Sequence, residues 1–412
     1  MSQTLPNRGA QGIEFVTMMA LIMSLLALSI DAILPALSQI GSSLGVDQNN
    51  ANDNQLLLSS VFIGMSLGLM VYGPLSDTYG RKTTLNLGVG IFIIGTIISL
   101  FSSSFDVMLL GRLIQGFGAA SCRVVSMAMI RDKFEGKEMA KVMSLITSIF
   151  IIVPTIAPSI GQGILLFFQW QAIFLFLLIV SFASLTWFDL RAQETLSREN
   201  RSAFSLTTTF EAIKESLTHP TSRLYTIASG LTFGGFIGYL NSAQQILQIQ
   251  YELGDLFSIA FGGLAFSVGI ASYLNSRLLK LFSMEQLCLF ALAMVFTTSL
   301  FFYVYISHFS AQPTLIVLMT YLSIVFFNLG ILMGNMNTLS LNPLGHIAGT
   351  ASSVISSAQT LLSVAIGSFI GLMYDNSIFP LVFGFMFTAF GGLSILLFIN
   401  YVGPFNYAKA YK

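Results

Sequence analysis

Runs of about 20 apolar residues, the length that a helix needs to cross a lipid bilayer, recur along this chain from Ile13 to Val402. Of its 412 residues, 54% are hydrophobic and only 9% are charged, whereas soluble domains carry roughly 25% charged residues. A soluble fold has too little interior to bury so much apolar surface. We therefore predict an all-α integral membrane protein with twelve transmembrane helices in two six-helix halves.

Polar breaks between the apolar runs divide the chain. The predicted helices, whose ends are uncertain by about 4 residues, lie near 14–36, 55–75, 84–103, 107–130, 139–164, 170–190, 223–246, 256–279, 286–307, 313–337, 346–374 and 378–402. This predicts an N-terminal bundle at 1–190, a cytoplasmic linker at 191–222 and a C-terminal bundle at 223–412. Apolar residues at helical spacing from Phe204 to Leu217 favour a short amphipathic helix in the linker, with a mostly disordered linker as the alternative.

Lys and Arg residues are distributed unevenly among the loops. If both chain ends are cytoplasmic, every Lys and Arg except Arg112 and Arg123 falls on the cytoplasmic side. The predicted outer loops contain acids such as Asp47 and Glu252 but no Lys or Arg. The positive-inside rule therefore predicts a multi-pass protein with both termini in the cytoplasm. The formal net charge is zero, so the composition does not point to nucleic acid as a partner.

One acidic residue, Asp31, lies inside the first predicted helix, and Arg112 lies at a similar depth in the fourth. A charged side chain at the centre of a membrane helix costs about 2.5–3.5 kcal/mol even on a lenient scale, so it normally faces a protein interior or an aqueous cavity. Asp31 is therefore a candidate for proton coupling and substrate binding, and Arg112 for tuning the proton exchange. The alternative is a fixed Asp31–Arg112 ion pair that only orients helices.

A second arginine, Arg123, lies further along the fourth helix. Its spacing from Arg112 places it within about 20° of the same face and about 16 Å closer to the cytoplasm. Gln115 and Gly116 lie between the two arginines on that face. Buried guanidinium groups need acceptors, which favours a cavity wall for the arginines, whereas the small residues suit either a cavity or close helix packing. Arg123 and Gln115 are therefore candidate substrate ligands.

Polar and aromatic side chains on the second half complete the candidate cavity. They are Tyr239, Asn241 and Gln244 on helix 7, Asn335 on helix 10 and Gln359 on helix 11. Buried polar groups generally find a partner, so each residue could instead bond to a neighbouring helix. The Cys and His residues are not clustered in the sequence, so we expect no metal, no disulfide and no cofactor.

The second helix ends in the segment GPLSDTYGRK at residues 73–82. This segment resembles the signature loop between helices 2 and 3 of the major facilitator superfamily, with Gly73, Asp77, Gly80 and Arg81 at matching places. The resemblance implies a conformational latch, in which Asp77 faces a helix N-terminus or a basic partner such as Arg131. An ordinary basic membrane anchor is the alternative.

The fifth helix contains VPTIAPSIGQG, in which Pro154 and Pro158 lie one turn apart and Gly161 follows. Each proline removes a backbone donor and favours a kink. The stretch is similar to the proline and glycine motif of antiporter subfamilies, although Gln162 stands where a glycine is usual. A kink that serves packing alone is the alternative. Four other segments together resemble the Bcr/CflA group of drug:proton antiporters: SIDAILP around Asp31, the pair Arg131 and Asp132, WQAIF from Trp170, and HIAGTASSVISSAQTLL from His346.

The resemblance implies proton-coupled efflux of small amphipathic drugs, phenicol-like or more varied, across the bacterial inner membrane by alternating access. The segment Gly111–Ala120 resembles the family's helix 4 motif, which ties Arg112 to proton transfer, and Asp31 would exchange the proton. The expected energy source is the proton gradient. The expected partners of a monomeric chain are protons, a small-molecule substrate and the lipid bilayer.

Two other functions compete with drug efflux. One is proton-coupled transport of one specific metabolite. The other is catalysis by a membrane-embedded enzyme, which should show clustered His, Cys or carboxylate ligands inside the membrane. The sequence has no such cluster, and we predict that the protein is not an enzyme.

Thiol labelling of intact cells tests the predicted orientation. The variants Asp47→Cys and Glu252→Cys are expected to react with a membrane-impermeant maleimide, because both positions lie in loops without Lys or Arg. Arg198→Cys is expected to react only after the cells are opened. Labelling of Arg198→Cys alone in intact cells would reverse the orientation.

Overall fold

Helices account for nearly all of the described structure. The computed structural model describes residues 8–201, 206–309 and 311–402. Within these ranges lie twelve helices of 19 to 30 residues, which confirms the predicted fold class. Phe204, at the predicted start of the linker helix, lies outside the described residues.

Two short helices accompany the twelve long ones in the described chain. The first group comprises α1 (Arg8–Asp31), α2 (Leu37–Ser43), α3 (Leu56–Tyr79), α4 (Arg81–Leu100), α5 (Phe105–Lys133), α6 (Gly136–Leu165) and α7 (Gln171–Arg191). After the short α8 (Leu206–Thr218), the second group comprises α9 (Pro220–Ala243), α10 (Phe257–Leu278), α11 (Met284–His308), α12 (Leu315–Leu341), α13 (Ala348–Leu372) and α14 (Phe379–Leu397).

Most of the long helices have the length and composition of membrane spans. In the described residues, nine segments qualify, and one of them, Leu315–Leu372, contains both α12 and α13. α6 has a shorter apolar run, Ile152–Leu165, and α9 is rich in Gly, Ser and Thr. We call the side with the turn at Gly80 and the segments 192–201 and 206–219 the linker side. The side with the segments 44–55 and 373–378 is the far side.

Glycine allows the helices of the first group to pack closely. Gly64 on α3 faces the backbone of Leu113 on α5, and Gly116 on α5 faces the backbone of Val61 on α3. A Cβ atom at either glycine would overlap a carbonyl oxygen. Gly118 lies against α4 in the same way. The small residues on α5 therefore serve helix packing, which decides between the two roles that the sequence left open for them.

Two helix pairs form the main contacts between the first and second groups. α3 packs against α13, and α6 packs against α10. α13 also packs against α9. α3 also contacts α9, and the candidate site is built where the first group meets α9 and α13.

The close approach of α3 and α5 predicts the effect of a single methyl group. Gly116→Ala is expected to destabilise the protein by about 1–3 kcal/mol, the usual cost of overpacking. Thermal unfolding followed with a thiol-reactive dye measures this, because Cys122 and Cys288 are both buried.

Gly90→Ala on α4 is the matched control. A Cβ atom at Gly90 meets no other atom within 4 Å, and alanine favours a helix by up to about 1 kcal/mol relative to glycine. This variant is expected to unfold at the same temperature as the native protein or slightly higher. Equal unfolding temperatures for the two variants would contradict the packing account.

Candidate functional site

The first helix breaks at Asp31. α1 ends there, and a 3₁₀ turn at Leu34–Ala36 leads into α2. Pro35 lies in this turn and has no N–H, so the α-helical hydrogen bond to the Asp31 carbonyl cannot form. Gly161 on α6 lies against Ala32, and a Cβ atom at Gly161 would overlap the Ala32 carbonyl. Both prolines of the VPTIAPSIGQG segment lie inside α6. Because Gly161 belongs to the same segment, this part of α6 packs directly against the break beside Asp31.

The Asp31 side chain is buried without a polar partner. Its exposed fraction is 6%. Among the described residues, its carboxyl group has no hydrogen bond and no ion pair. The fixed ion pair with Arg112 that the sequence left open is therefore absent from this structure.

Arg112 instead binds uncharged acceptors. The side chain is 0% exposed, and its Nη2 donates to the Ser29 carbonyl at 2.7 Å and its Nε to the Leu57 carbonyl at 3.3 Å. Its Nη1 donates to Gln115, whose own amide donates to Thr96 at 2.8 Å. Gln115 thus supports Arg112 and is itself 0% exposed. Arg112 reaches Asp31 only through the backbone of α1, two residues away at Ser29.

Three predicted ligands on the second group are buried with unsatisfied polar atoms. Within the described residues, the Tyr239 hydroxyl, both amide atoms of Asn241 and the Gln359 nitrogen have no hydrogen-bond partner. The Tyr239 hydroxyl lies close enough to Asp31 for the charge of the carboxylate to act on it. Buried polar groups are normally paired. The Tyr239 hydroxyl, near Asp31 across the two groups of helices, and the unpaired amides of Asn241 and Gln359 are therefore suited to bind polar groups.

Tyr239 also carries an aromatic surface. Its ring stacks on Phe261 of α10 with centroids 5.9 Å apart and contacts the edge of Phe326 of α12 at 4.8 Å. The unpaired hydroxyl therefore stands at the border of an apolar cluster. Such a border fits a ligand that is partly polar and partly apolar.

The other two predicted ligands already have partners. Gln244 accepts a hydrogen bond from Ser38 at 3.1 Å and donates to the Pro35 carbonyl at 3.3 Å. Asn335 exchanges two hydrogen bonds with Asn275 of α10, at 2.9 and 3.1 Å. In this structure these side chains join helices to each other.

Gln244 belongs to a network of uncharged side chains that closes the far side, which we call the far-side seal. α9 continues there as a π-helix, Gln244–Gln250. Gln245 donates to Asn52 at 2.7 Å, and Asn52 donates to the Tyr374 carbonyl at 2.8 Å. Gln55 donates to the Gly371 carbonyl at 2.7 Å. The seal also includes the Ser59–Ser368 contact at 2.7 Å.

Gln162 adds a bond to the far-side seal. Its amide donates to Asp255 of the second group at 2.6 Å. The residue that departs from the usual glycine of the helix 5 motif thus bridges the two groups of helices. Sequence reasoning did not predict the seal as a whole, although the amide-rich segment Gln48–Gln55 before α3 is visible in the sequence.

The latch residues form a charged cluster on the linker side. Arg81 donates to Asp77, to the Ser76 hydroxyl at 2.7 Å and to Asp132 at 3.1 Å. Asp77 therefore binds Arg81 and not Arg131, which the sequence offered as a partner. Gly73, which the sequence also assigned to this loop motif, lies against Ser353 of α13 across the interface between the two groups of helices.

Glu194 of the linker caps the helix that follows the latch. The backbone turns at Gly80, whose φ of +100° suits glycine. At this turn the Glu194 carboxylate accepts from the backbone N–H groups of Arg81 at 2.9 Å and Lys82 at 3.2 Å, and Arg201 lies 3.7 Å from it. An anion at a helix N-terminus is favourable. Glu194 has no distinctive signal in the sequence, because acidic residues after a helix are common.

A cavity of about 390 Å³ separates the two groups of helices on the linker side. α3 and α5 form one wall and α12 and α13 the other. Arg123 lines this cavity and is exposed. The cavity is lined by Leu69, Gly73, Ser76, Asp77, Arg81, Arg123, Val124, Met127, Ala128, Arg131, Asp132, Asn337, Gly349, Ser352, Ser353 and Ser356.

The far side is therefore closed while the linker side is open. Comparison with known proteins identifies the family of the chain. The family model described as Major Facilitator Superfamily matches residues 19–368. The chain belongs to the Major Facilitator Superfamily. It is thus a multi-pass membrane transporter.

Members of the superfamily resemble this chain over most of its length. A bicyclomycin resistance protein homolog of Haemophilus influenzae is 28% identical over 383 residues, which cover 90% of this chain and 92% of that protein. The multidrug resistance protein MdtL of Shewanella oneidensis is 29% identical over 361 residues, 85% of this chain and 86% of that protein. The human organic anion transporter MFSD10 (TETRAN) shares the superfamily fold with a TM-score of 0.72 at 16% identity, covering 96% of this chain and all of that one.

Because Glu194 caps α4, the Glu194→Gln substitution is expected to weaken the first turn of that helix. Loss of the carboxylate charge should cost about 1 kcal/mol, so amide hydrogen exchange of peptides covering residues 81–84 should become about fivefold faster. Glu199→Gln is the matched control, because Glu199 lies in the same linker and is exposed. Unchanged exchange in Glu194→Gln, or equal acceleration in both variants, would contradict the capping role.

Proposed function

We propose that this protein exports small amphipathic compounds, phenicol-like or more varied, from the bacterial cytoplasm by alternating access driven by the proton gradient. The names of the relatives, bicyclomycin resistance protein homolog and multidrug resistance protein, support export of drug-like compounds. In this proposal the linker side faces the cytoplasm, as the distribution of Lys and Arg favours, and both termini lie there. The protein works as a monomer in the inner membrane, with no cofactor and no enzymatic activity.

The closed far side and the open linker side fit the first step of export. A carrier that takes a compound from the cytoplasm must be open to the cytoplasm and closed to the outside at that moment. The far-side seal and the cavity around Arg123 supply these two conditions together. Export then requires the seal to open and the linker side to close, which alternating access describes.

The observation that carries the proposal is the unpaired carboxyl group of Asp31. It is buried between the two groups of helices, beside the break in α1 and within coulombic range of Tyr239. An ionised carboxylate without partners is costly in a medium without water. The charge state of Asp31 should therefore depend on whether water or a ligand reaches it, which is the property that a coupling residue needs.

Arg112 has a supporting role in this proposal. It binds the Ser29 carbonyl at 2.7 Å and so fixes the segment of α1 that carries Asp31. Among the residues that the structure describes, no ion pair holds Asp31 in its charged form. The carboxyl group is therefore free to exchange a proton when the conformation changes, while Arg112 keeps its backbone in place.

Growth inhibition tests the export function. Cells that overproduce the protein are expected to tolerate several chemically unrelated amphipathic compounds better than cells with an empty vector. Overproduced Asp31→Asn is expected to give no protection at the same membrane level. Protection absent for every compound in a broad panel would favour transport of one specific metabolite.

Proton release tests the coupling role of Asp31. In weakly buffered detergent solution, a compound selected from the growth panel is expected to release protons from the native protein and none from Asp31→Asn. Within the described residues Asp31 has no ion partner, so Asp31→Asn leaves no buried cation without a partner. The loss of about 3–5 kcal/mol in stability that follows from breaking a buried ion pair is therefore not expected. The unfolding temperature should therefore stay unchanged or rise.

Asp106→Asn is the matched control for proton release. Asp106 lies in the first turn of α5 on the far side and is exposed, so this variant should release protons as the native protein does. Normal proton release from a stable Asp31→Asn protein would remove Asp31 from the mechanism.

A further inference from the structure

The cavity on the linker side has a positive charge balance. Three arginines and two aspartates line it. Both aspartates already bind Arg81, whereas Arg123 and Arg131 have no ion pair or side-chain hydrogen bond in the described part of the chain. Two exposed guanidinium groups therefore face a space in which every lining carboxylate already has a cationic partner.

The opposite wall offers donors without charge. Asn337 of α12 and three serines of α13, Ser352, Ser353 and Ser356, line the cavity across from α5. Hydroxyl and amide groups can donate hydrogen bonds to an anion although they carry no charge themselves. The arginines and this wall together supply donors from two sides of the cavity.

The wall around Arg123 is apolar on one face. Val124 and Met127 follow Arg123 on α5, and Leu69 of α3 also lines the cavity. A ligand that meets Arg123 therefore meets aliphatic surface beside it. Low-dielectric walls strengthen the field of the guanidinium groups in the cleft.

We propose that this cavity binds a carboxylate, sulfonate or phosphate group attached to an apolar body, with Arg123 as the main ligand and Arg131 as the second. The planar guanidinium binds such groups through two parallel hydrogen bonds. The proposal deepens the export function, because it makes an amphipathic anion the preferred compound on the cytoplasmic side. The headgroup of an anionic phospholipid has the same chemistry and is the second source of such a group.

Three probes with the same ring system test the charge preference: naphthoate, naphthamide and naphthylmethyl-trimethylammonium. Titration calorimetry on the purified protein in an uncharged detergent is expected to show naphthoate binding about tenfold or more tightly than the other two, since charge-assisted hydrogen bonds are the strong ones. Equal affinities for the three probes would overturn the proposal.

Substitutions locate the probe. Arg123→Gln is expected to abolish the preference for naphthoate, and Arg131→Gln to reduce it. Arg223→Gln is the control, because it removes the same charge at an exposed position outside the cavity and should leave the preference unchanged. Arg123 has no ion pair within the described ranges, so its substitution leaves no partner unpaired there and the unfolding temperatures should match. A preference for naphthoate that persists in a folded Arg123→Gln protein would overturn the site.

Competition identifies the source of the anion. Displacement of naphthoate by short-chain phosphatidylglycerol, and not by phosphatidylcholine, would assign the site to lipid headgroups. Absence of displacement by either lipid would assign it to the exported compound. Both results support an anion site, and neither depends on proton release, so failure of the Asp31 test would leave the Arg123 result standing.

Discussion

The buried guanidinium of Arg112 is the interaction on which the first group of helices depends. Lipid offers no water to a charged group, so its donors must be satisfied within the protein. The acceptors are the backbone carbonyls of Ser29 on α1 and Leu57 on α3 and the side chain of Gln115. Because two acceptors belong to the backbone, Arg112 fixes α1 and α3 relative to α5. The glycines between α3 and α5 allow the approach that these bonds require.

Two clusters of polar contacts lie at opposite ends of these fixed helices: the far-side seal and the charged cluster around Arg81. The far-side seal consists mainly of hydrogen bonds between uncharged groups, each contributing about 0.5–1.5 kcal/mol net. Such bonds are weak enough singly to be exchanged for water when the far side opens. On the linker side, Arg81, Asp77 and Asp132 concentrate charge at one turn, and Glu194 ties that turn to the linker. The two sides therefore differ in chemistry, and Asp31 lies in the region between them.

Sequence patterns predicted the helices and the residues that are unusual inside a membrane, but not their partners. Apolar runs and isolated charges are local features, so the twelve helices, Asp31 and Arg112 could be read from the chain. The partners of Arg112 are backbone carbonyls on other helices, which have no signature in a side-chain pattern. Glu194 and Arg81, which are in contact, lie 113 residues apart in the sequence. Asn335 and Asn275, which are hydrogen-bonded, lie 60 residues apart. Helical spacing predicts the face of the helix on which a residue lies, but the packing of the helices determines which residue it contacts.

In the proposed export cycle, the charge state of Asp31 controls which side of the transporter is open. Spin labels at Ser43 and Met373, both exposed, report the far side, and labels at Glu138 and Gly345, also exposed, report the linker side. Distances from double electron–electron resonance are expected to change in opposite directions at the two sides between mildly acidic and mildly alkaline buffer. In Asp31→Asn both changes should be absent. A pH response in Asp31→Asn equal to that of the native protein would contradict the account.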